Sequence, residues 1–150
     1  MERACLLCAV VAMTCALPVK AQEQSPAKLA SRTPEQVVKH HLAVFTQHDL
    51  EGILSDYADD AIFIAAKQTV QGKPALRKMF ESFIANSKGN AAAPAFEATV
   101  TAEGDVGYEH WVSNPGKPGS MAGTDAFVVR HGKIVFHTVV GVHAVDGDQK

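Results

Sequence analysis

His41 and Asp125 are the side chains of this sequence whose surroundings best suit the handling of a proton. His41 sits in a run where Val38, Leu42 and Phe45 recur on one helical face. An imidazole there can act as acid, base or hydrogen-bond donor, because its ordinary pKa lies near neutral pH. Asp125 belongs to a strand-like stretch with Phe127 and Val129, and a carboxyl among apolar neighbours can give or take a proton. Each has a plainer reading: His41 as a half-buried histidine satisfied by backbone or a carboxylate, Asp125 as an exposed edge-strand residue. His110 alternates with Tyr108 and Val112 on the more apolar face of another strand-like stretch, and is either the next polar group of a pocket or a core histidine.

Other chemistries fail on residue type or spacing. His137 and His143 are six strand residues apart, about 20 Å, too far to share one ion. His40 and His41 are helix neighbours and diverge. Cys5, Cys8 and Cys15 all lie within the first 21 residues, so the chain beyond them carries no thiol nucleophile, disulfide or cysteine-bound zinc. No glycine loop has the order of a phosphate cradle, and Gly119-Ser120-Met121-Ala122-Gly123 does not match a nucleophile elbow. No metal and no cofactor is expected. A formal net charge of −2 gives nothing to recruit polyanions, which argues against nucleic acid as a partner.

The elements that must position these groups are legible in the periodicity. The stretch from Thr33 to Ala66 organises the rest: two amphipathic helices delivered into an apolar strand. Thr33-Pro34-Glu35-Gln36 has the order of a capping box with proline at the first helical position. His41 then falls on the buried side, with His40 and His48 more exposed. Asp49 caps a second, short helix through Leu50, Ile53, Leu54 and Tyr57, which Asp59-Asp60 breaks. Ala61 to Ala66 predicts a strand covered on both faces. Gly72-Lys73-Pro74 opens a third helix with Leu76, Met79, Phe80, Phe83 and Ile84 as its stripe, and Ser87 to Pro94 links onward.

From Ala95 the period becomes two. A hairpin turns at Glu103-Gly104-Asp105, Asn114 to Ser120 connects onward, a strand runs from Met121 to Arg130, and His131-Gly132 turns into a last strand from Lys133 to Val145. Trp111 shares a face with Glu109 and Ser113. The fold class is α+β, with three helices packed on one face of a strongly curved antiparallel or mixed sheet.

The first 21 residues read as a secretory signal peptide: Arg3, an apolar run from Ala4 to Leu17, and Val19-Lys20-Ala21 as the cleavage site. That run is shorter than the roughly 20 residues that span a bilayer. The expected organisation is therefore a leader at 1–21, a flexible arm at 22–32, a domain at 33–146 and a tail at 147–150. The mature protein is expected to be secreted or periplasmic, away from the membrane.

The segments Asp49-Leu50-Glu51-Gly52-Ile53, Tyr57-Ala58-Asp59-Asp60-Ala61, Gln71-Gly72-Lys73-Pro74-Ala75-Leu76 and Gly132-Lys133-Ile134 resemble the cone-shaped superfamily of nuclear transport factor 2-like proteins, SnoaL-like polyketide cyclases and ketosteroid isomerases. The resemblance implies a cone enclosing an apolar pocket for a small hydrophobic molecule. Phe45, Tyr57, Phe63, Phe80, Tyr108, His110 and Phe127 would line it, with His41 and Asp125 as catalytic groups. It also implies a homodimer through the outward sheet face, with Trp111 as anchor. Set against ketosteroid isomerases, the general-base position is Ala65 and the oxyanion-donor tyrosine is His41; the second donor falls at Asp125 or, one residue out of register, at Thr124. Alanine cannot move a proton, which argues against steroid isomerisation by that mechanism. Isomerase, cyclase or hydratase-type chemistry, ligand binding without catalysis, and a filled interaction module all remain consistent with the fold.

Overall fold

The computed structural model describes residues 30–66, 68–87 and 96–145. The expected leader, most of the arm, the 88–95 link and the tail beyond Val145 lie outside the described residues. Helix α1 (Pro34–Thr46) forms where the capping box predicts: the Thr33 side chain accepts from Gln36 N, and the Gln36 side chain accepts from Thr33 N. It buries Val37, Val38, His41 and Val44. Asp49 caps α2 (Leu50–Asp56) by accepting from Gly52 N, and the backbone bond from Asp49 N to Val44 O sets the joint between the two helices.

Strand β1 (Tyr57–Ala65) follows α2 without a break, so Asp59 and Asp60 lie within the strand. They occupy its irregular start, where the register against β6 shifts between Tyr57 and Ile62. A short strand, β2 (Gln68–Gln71), returns antiparallel to β1 and was not expected. Helix α3 (Lys73–Ser87) buries Leu76, Phe80 and Ile84. Then come β3 (Phe96–Glu103), β4 (Val106–Ser113), β5 (Met121–Arg130) and β6 (Lys133–Ala144). The connection from Asn114 to Ser120 is tied by backbone bonds from Lys117 to Asn114 and from Ser120 to Lys117.

The sheet is mixed and open, in the order β2-β1-β6-β5-β4-β3, and the β1–β6 pair is parallel. Register shifts between Ala122 and Thr124 and between Val128 and Val129 bend β5 against β6, which curves the sheet around the helices. Gly107 seats α1 on that concave face: a Cβ there would lie 2.6 Å from Val38 Cγ2, so only glycine allows the approach. The core between the layers contains Ile53, Tyr57, Leu76, Phe127 and Ile134, each almost wholly buried. No described helix is long and apolar enough to cross a membrane.

Three expectations about faces are corrected. Strand β4 turns Gly107, Glu109 and Trp111 toward the helices and leaves Tyr108 and His110 exposed on the outer face. Tyr108 and His110 therefore cannot line an interior pocket, and Trp111 is no anchor on the outside. The residues of β4 alternate as a period of two predicts, but the more apolar face is the outer one. β1 is likewise open on one side, with Ile64 36 % exposed. The arm is also fixed at its last residue: Arg32 donates to Asp56 Oδ1 at 2.7 Å and to the Gly132 carbonyl at 2.8 Å.

Candidate active site

The interior polar groups lie between the helices and the curved sheet. Asp56 has no exposure and is bound by Arg32 and by His40 Nδ1 at 2.8 Å. His40 is more exposed than His41, as its place on the helix predicts, and its ring also helps to hold this carboxylate. Next to it His41 is packed among rings, its centroid 5.3 Å from Tyr57, 5.8 Å from Phe127 and 6.3 Å from Phe80. Its Nδ1 stands 3.8 Å from Asp56 Oδ2, too long for a hydrogen bond, and has no partner among the described residues. Burial, reinforced by His137 and His40, pushes its pKa well below the ordinary histidine value, so the ring is neutral at neutral pH.

Beside His41 a hydrogen-bonded line crosses the sheet. Tyr57 Oη lies 2.6 Å from His137 Nδ1, His137 Nε2 lies 3.2 Å from Asp125 Oδ2, and Trp111 Nε1 donates to Asp125 Oδ1 at 3.0 Å. The roles follow from what each atom can do. An ionised Asp125 only accepts, so His137 carries its hydrogen on Nε2, and Nδ1 accepts from the tyrosine. The ring is fixed by stacking on Phe127 at 4.2 Å and by the edge contact with Phe63 at 4.8 Å. Burial lowers the His137 pKa, with the Asp125 carboxylate pulling against it. Burial, followed by the nearby Asp125 and Asp56, raises the Tyr57 pKa well above its usual value, so its hydroxyl stays protonated as a donor.

Next to this line, β4 sets Glu109 directly opposite Asp125 of β5, both on the concave face. Glu109 is 3 % exposed and makes no side-chain hydrogen bond to a described residue. Burial first, and then the Asp125 charge, push its carboxyl up to about 8, so it is a neutral acid at neutral pH. Trp111 reaches Asp125 by lying across Gly123, where an added Cβ would stand 2.5 Å from the indole; its other contact is Phe96, stacked at 5.8 Å. Asp125 keeps 16 % side-chain exposure and is open to solvent.

The structure thus brings Asp125 inward and leaves Thr124 to bond the Val140 carbonyl, which resolves the register between them. Tyr57, Phe63, Phe80 and Phe127 are buried in one cluster with Val37 and Leu76, and Phe45 packs half-buried against it. Together they fill the space between the helices and the sheet. A recess of about 580 Å³ opens elsewhere, between β2 and α3, lined by Thr69, Gln71, Lys78, Met79 and Phe83. Another of about 390 Å³ lies by Arg32, Asp105 and Arg130. Neither is lined by the residues expected to hold a ligand. Sequence reasoning missed Glu109, His137, Asp56 and Arg32 as interior polar groups. For Glu109 the signal was present: it shares a strand face with the chain's sole tryptophan.

Residues 38–137 match the model of the SnoaL-like domain. Among solved structures, an NTF-2 like protein of unknown function from Burkholderia xenovorans superposes with a TM-score of 0.55 at 18 % identity, covering 71 % of this chain and 80 % of its own. A candidate polyketide cyclase from Sinorhizobium meliloti gives 0.55 at 18 % identity, covering 69 % and 93 %. TerC, co-crystallized with polyporic acid, gives 0.54 at 18 % identity, covering 72 % and 91 %. At these identities the structural likeness establishes the fold alone. No curated protein matches this sequence.

Proposed function

From a chain that belongs to the SnoaL-like domain family, we propose a protein that binds a small hydrophobic molecule at the mouth of its cone and moves a proton on it, with Asp125 as the accepting group. The observation that carries this reading is the way Asp125 is held. Its two partners, Trp111 and His137, are neutral donors, and no cation pairs with it among the described residues. Its charge is oriented yet not cancelled, which suits a general base. The polyketide cyclase and the polyporic acid complex among the structural neighbours support a small, largely apolar ligand class. His41, caged and neutral, serves packing in this reading and not proton transfer.

The test is exchange of the α-hydrogens of an apolar ketone, phenylacetone, for deuterium in heavy water, followed by proton NMR. The wild type should catalyse exchange and Asp125→Asn should lose about a hundredfold. Quenching of Trp111 by the ketone without any exchange would favour a binding module instead.

Self-association through the outer sheet face is part of the proposal, moved from Trp111 to the exposed apolar residues Ile64, Tyr108 and Val140. Tyr108→Glu should shift the sedimentation profile to the monomer. Export after cleavage behind Ala21 is also proposed, and the mass of protein recovered outside the cytoplasm would check it.

A further inference from the structure

Glu109 is the interior acid that the preceding assignment leaves unused. It faces Asp125 across the β4–β5 ladder as a direct partner, which sets the Cβ atoms of such a pair roughly 5 Å apart. Two like charges so placed and so little exposed repel each other, and the cheapest remedy is for the pair to keep one proton. Asp125 already has two donors to stabilise its ionised form, whereas Glu109 has no hydrogen-bond partner among the described residues. The proton therefore resides on Glu109, in line with its raised pKa. The other titratable groups of the packed layers that the carboxyl pair meets are His137 on β6, Tyr57 at the start of β1 and His41 on α1, and these are neutral at neutral pH.

We propose that Glu109 and Asp125 act together as one acid–base pair sharing a single proton, and that the substrate is a small apolar β-hydroxy carbonyl compound from which the pair removes water. This rests on Asp125 being the proton acceptor. The Asp125 carboxylate takes the proton from the carbon next to the carbonyl, and the electrons of that C–H bond form the new C=C bond. The C–O bond to the β-hydroxyl breaks toward oxygen, which receives the Glu109 proton and leaves as water. Asp125 is then protonated and Glu109 ionised, and one proton hop between facing carboxyls restores the starting state. Atoms balance as hydroxy ketone to enone plus water, with no oxidant or cofactor. An isomerisation that returns the proton to carbon needs one base and would use Glu109 only as a hydrogen-bond donor to the enolate oxygen, with no net transfer of its proton. Elimination uses both groups at once, and both reach the substrate from the same side of the sheet.

The experiment follows the aldol of benzaldehyde and acetone as it is converted to benzylideneacetone by the full-length protein, monitored by the absorbance of the enone, with near-ultraviolet circular dichroism to verify the fold of each variant. Wild type should form the enone, Glu109→Gln and Asp125→Asn should each lose about a hundredfold, and Glu109→Asp should recover part of the rate because it restores an acid. A Glu109→Gln variant as active as wild type, or a Glu109→Asp variant as inactive as Glu109→Gln, overturns the pair while leaving Asp125 as the base. Deuterium exchange into phenylacetone without dehydration of the aldol overturns the substrate class alone. Absence of both activities in the wild type overturns this inference together with the reading beneath it.

Discussion

Asp56 and Asp125 are both interior aspartates of one domain, and their partners set them apart. Asp56 has no exposure and is matched by a guanidinium and an imidazole, with Arg32 extending the clamp to the turn before β6. Asp125 is partly open, is held by an indole and an imidazole, and looks across at a second carboxyl. A carboxylate neutralised by a cation fastens elements together: here the residue before the α1 cap, the end of α2 and the β5–β6 turn. A carboxylate oriented by neutral donors keeps its charge for use. The two histidines repeat the lesson, since His41 is surrounded by rings with no partner on Nδ1 among the described residues, while His137 is bonded at both nitrogens and links Tyr57 to Asp125.

The contrast breaks most sharply at Asp56. Asp56→Ala should destabilise the fold by about 3–5 kcal/mol, because it leaves Arg32 buried without its counter-charge; urea denaturation would measure it. Asp125→Asn should instead cost about 1 kcal/mol or less in the same assay, since the amide oxygen can still accept from Trp111, while removing proton exchange. Equal losses of stability would erase the distinction.

Glu109 gives a pH-dependent version. A carboxyl raised from 4.5 to about 8 by folding binds more protons in the folded chain than in the unfolded one. Its contribution is thus complete below pH 4.5 and is lost as pH rises through 8. Melting temperatures of wild type and Glu109→Gln across that range should diverge, with the wild type losing ground toward alkaline pH. A constant difference would place the titration elsewhere. The hold on Asp125 itself can be loosened at Gly123. Gly123→Ala should push the indole away from Asp125, costing about 1–3 kcal/mol and shifting the emission of the sole tryptophan to the red.

Much of the scaffold was legible. The capping box at Thr33 and Gln36, the Asp49 cap, the Gly104-Asp105 and His131-Gly132 turns and the α3 stripe all describe local chemistry, and local chemistry is written in neighbouring residues. Strand β2 escaped because Gln68-Thr69-Val70-Gln71 is short and buries only Val70. The inward face of β4 escaped for a different reason. Period two divides Tyr108 and His110 from Glu109 and Trp111 but assigns neither set to the interior, and here the less apolar set went inside. Helix α1 resting on Gly107 decides it, because the face that carries glycine is the one a helix can approach.

The sequence by itself determined the helices, the turns, the family and the inventory of groups able to move a proton, because capping, periodicity and residue type act over a few neighbours. Only the tertiary structure decided which of those groups meet. Tyr57, Trp111, Asp125 and His137 are up to 80 residues apart in the chain and come together through strand register. Register is set by bulges, by the seat of one helix on one glycine and by the competition between two faces for the core, and none of these is local to the residues it aligns.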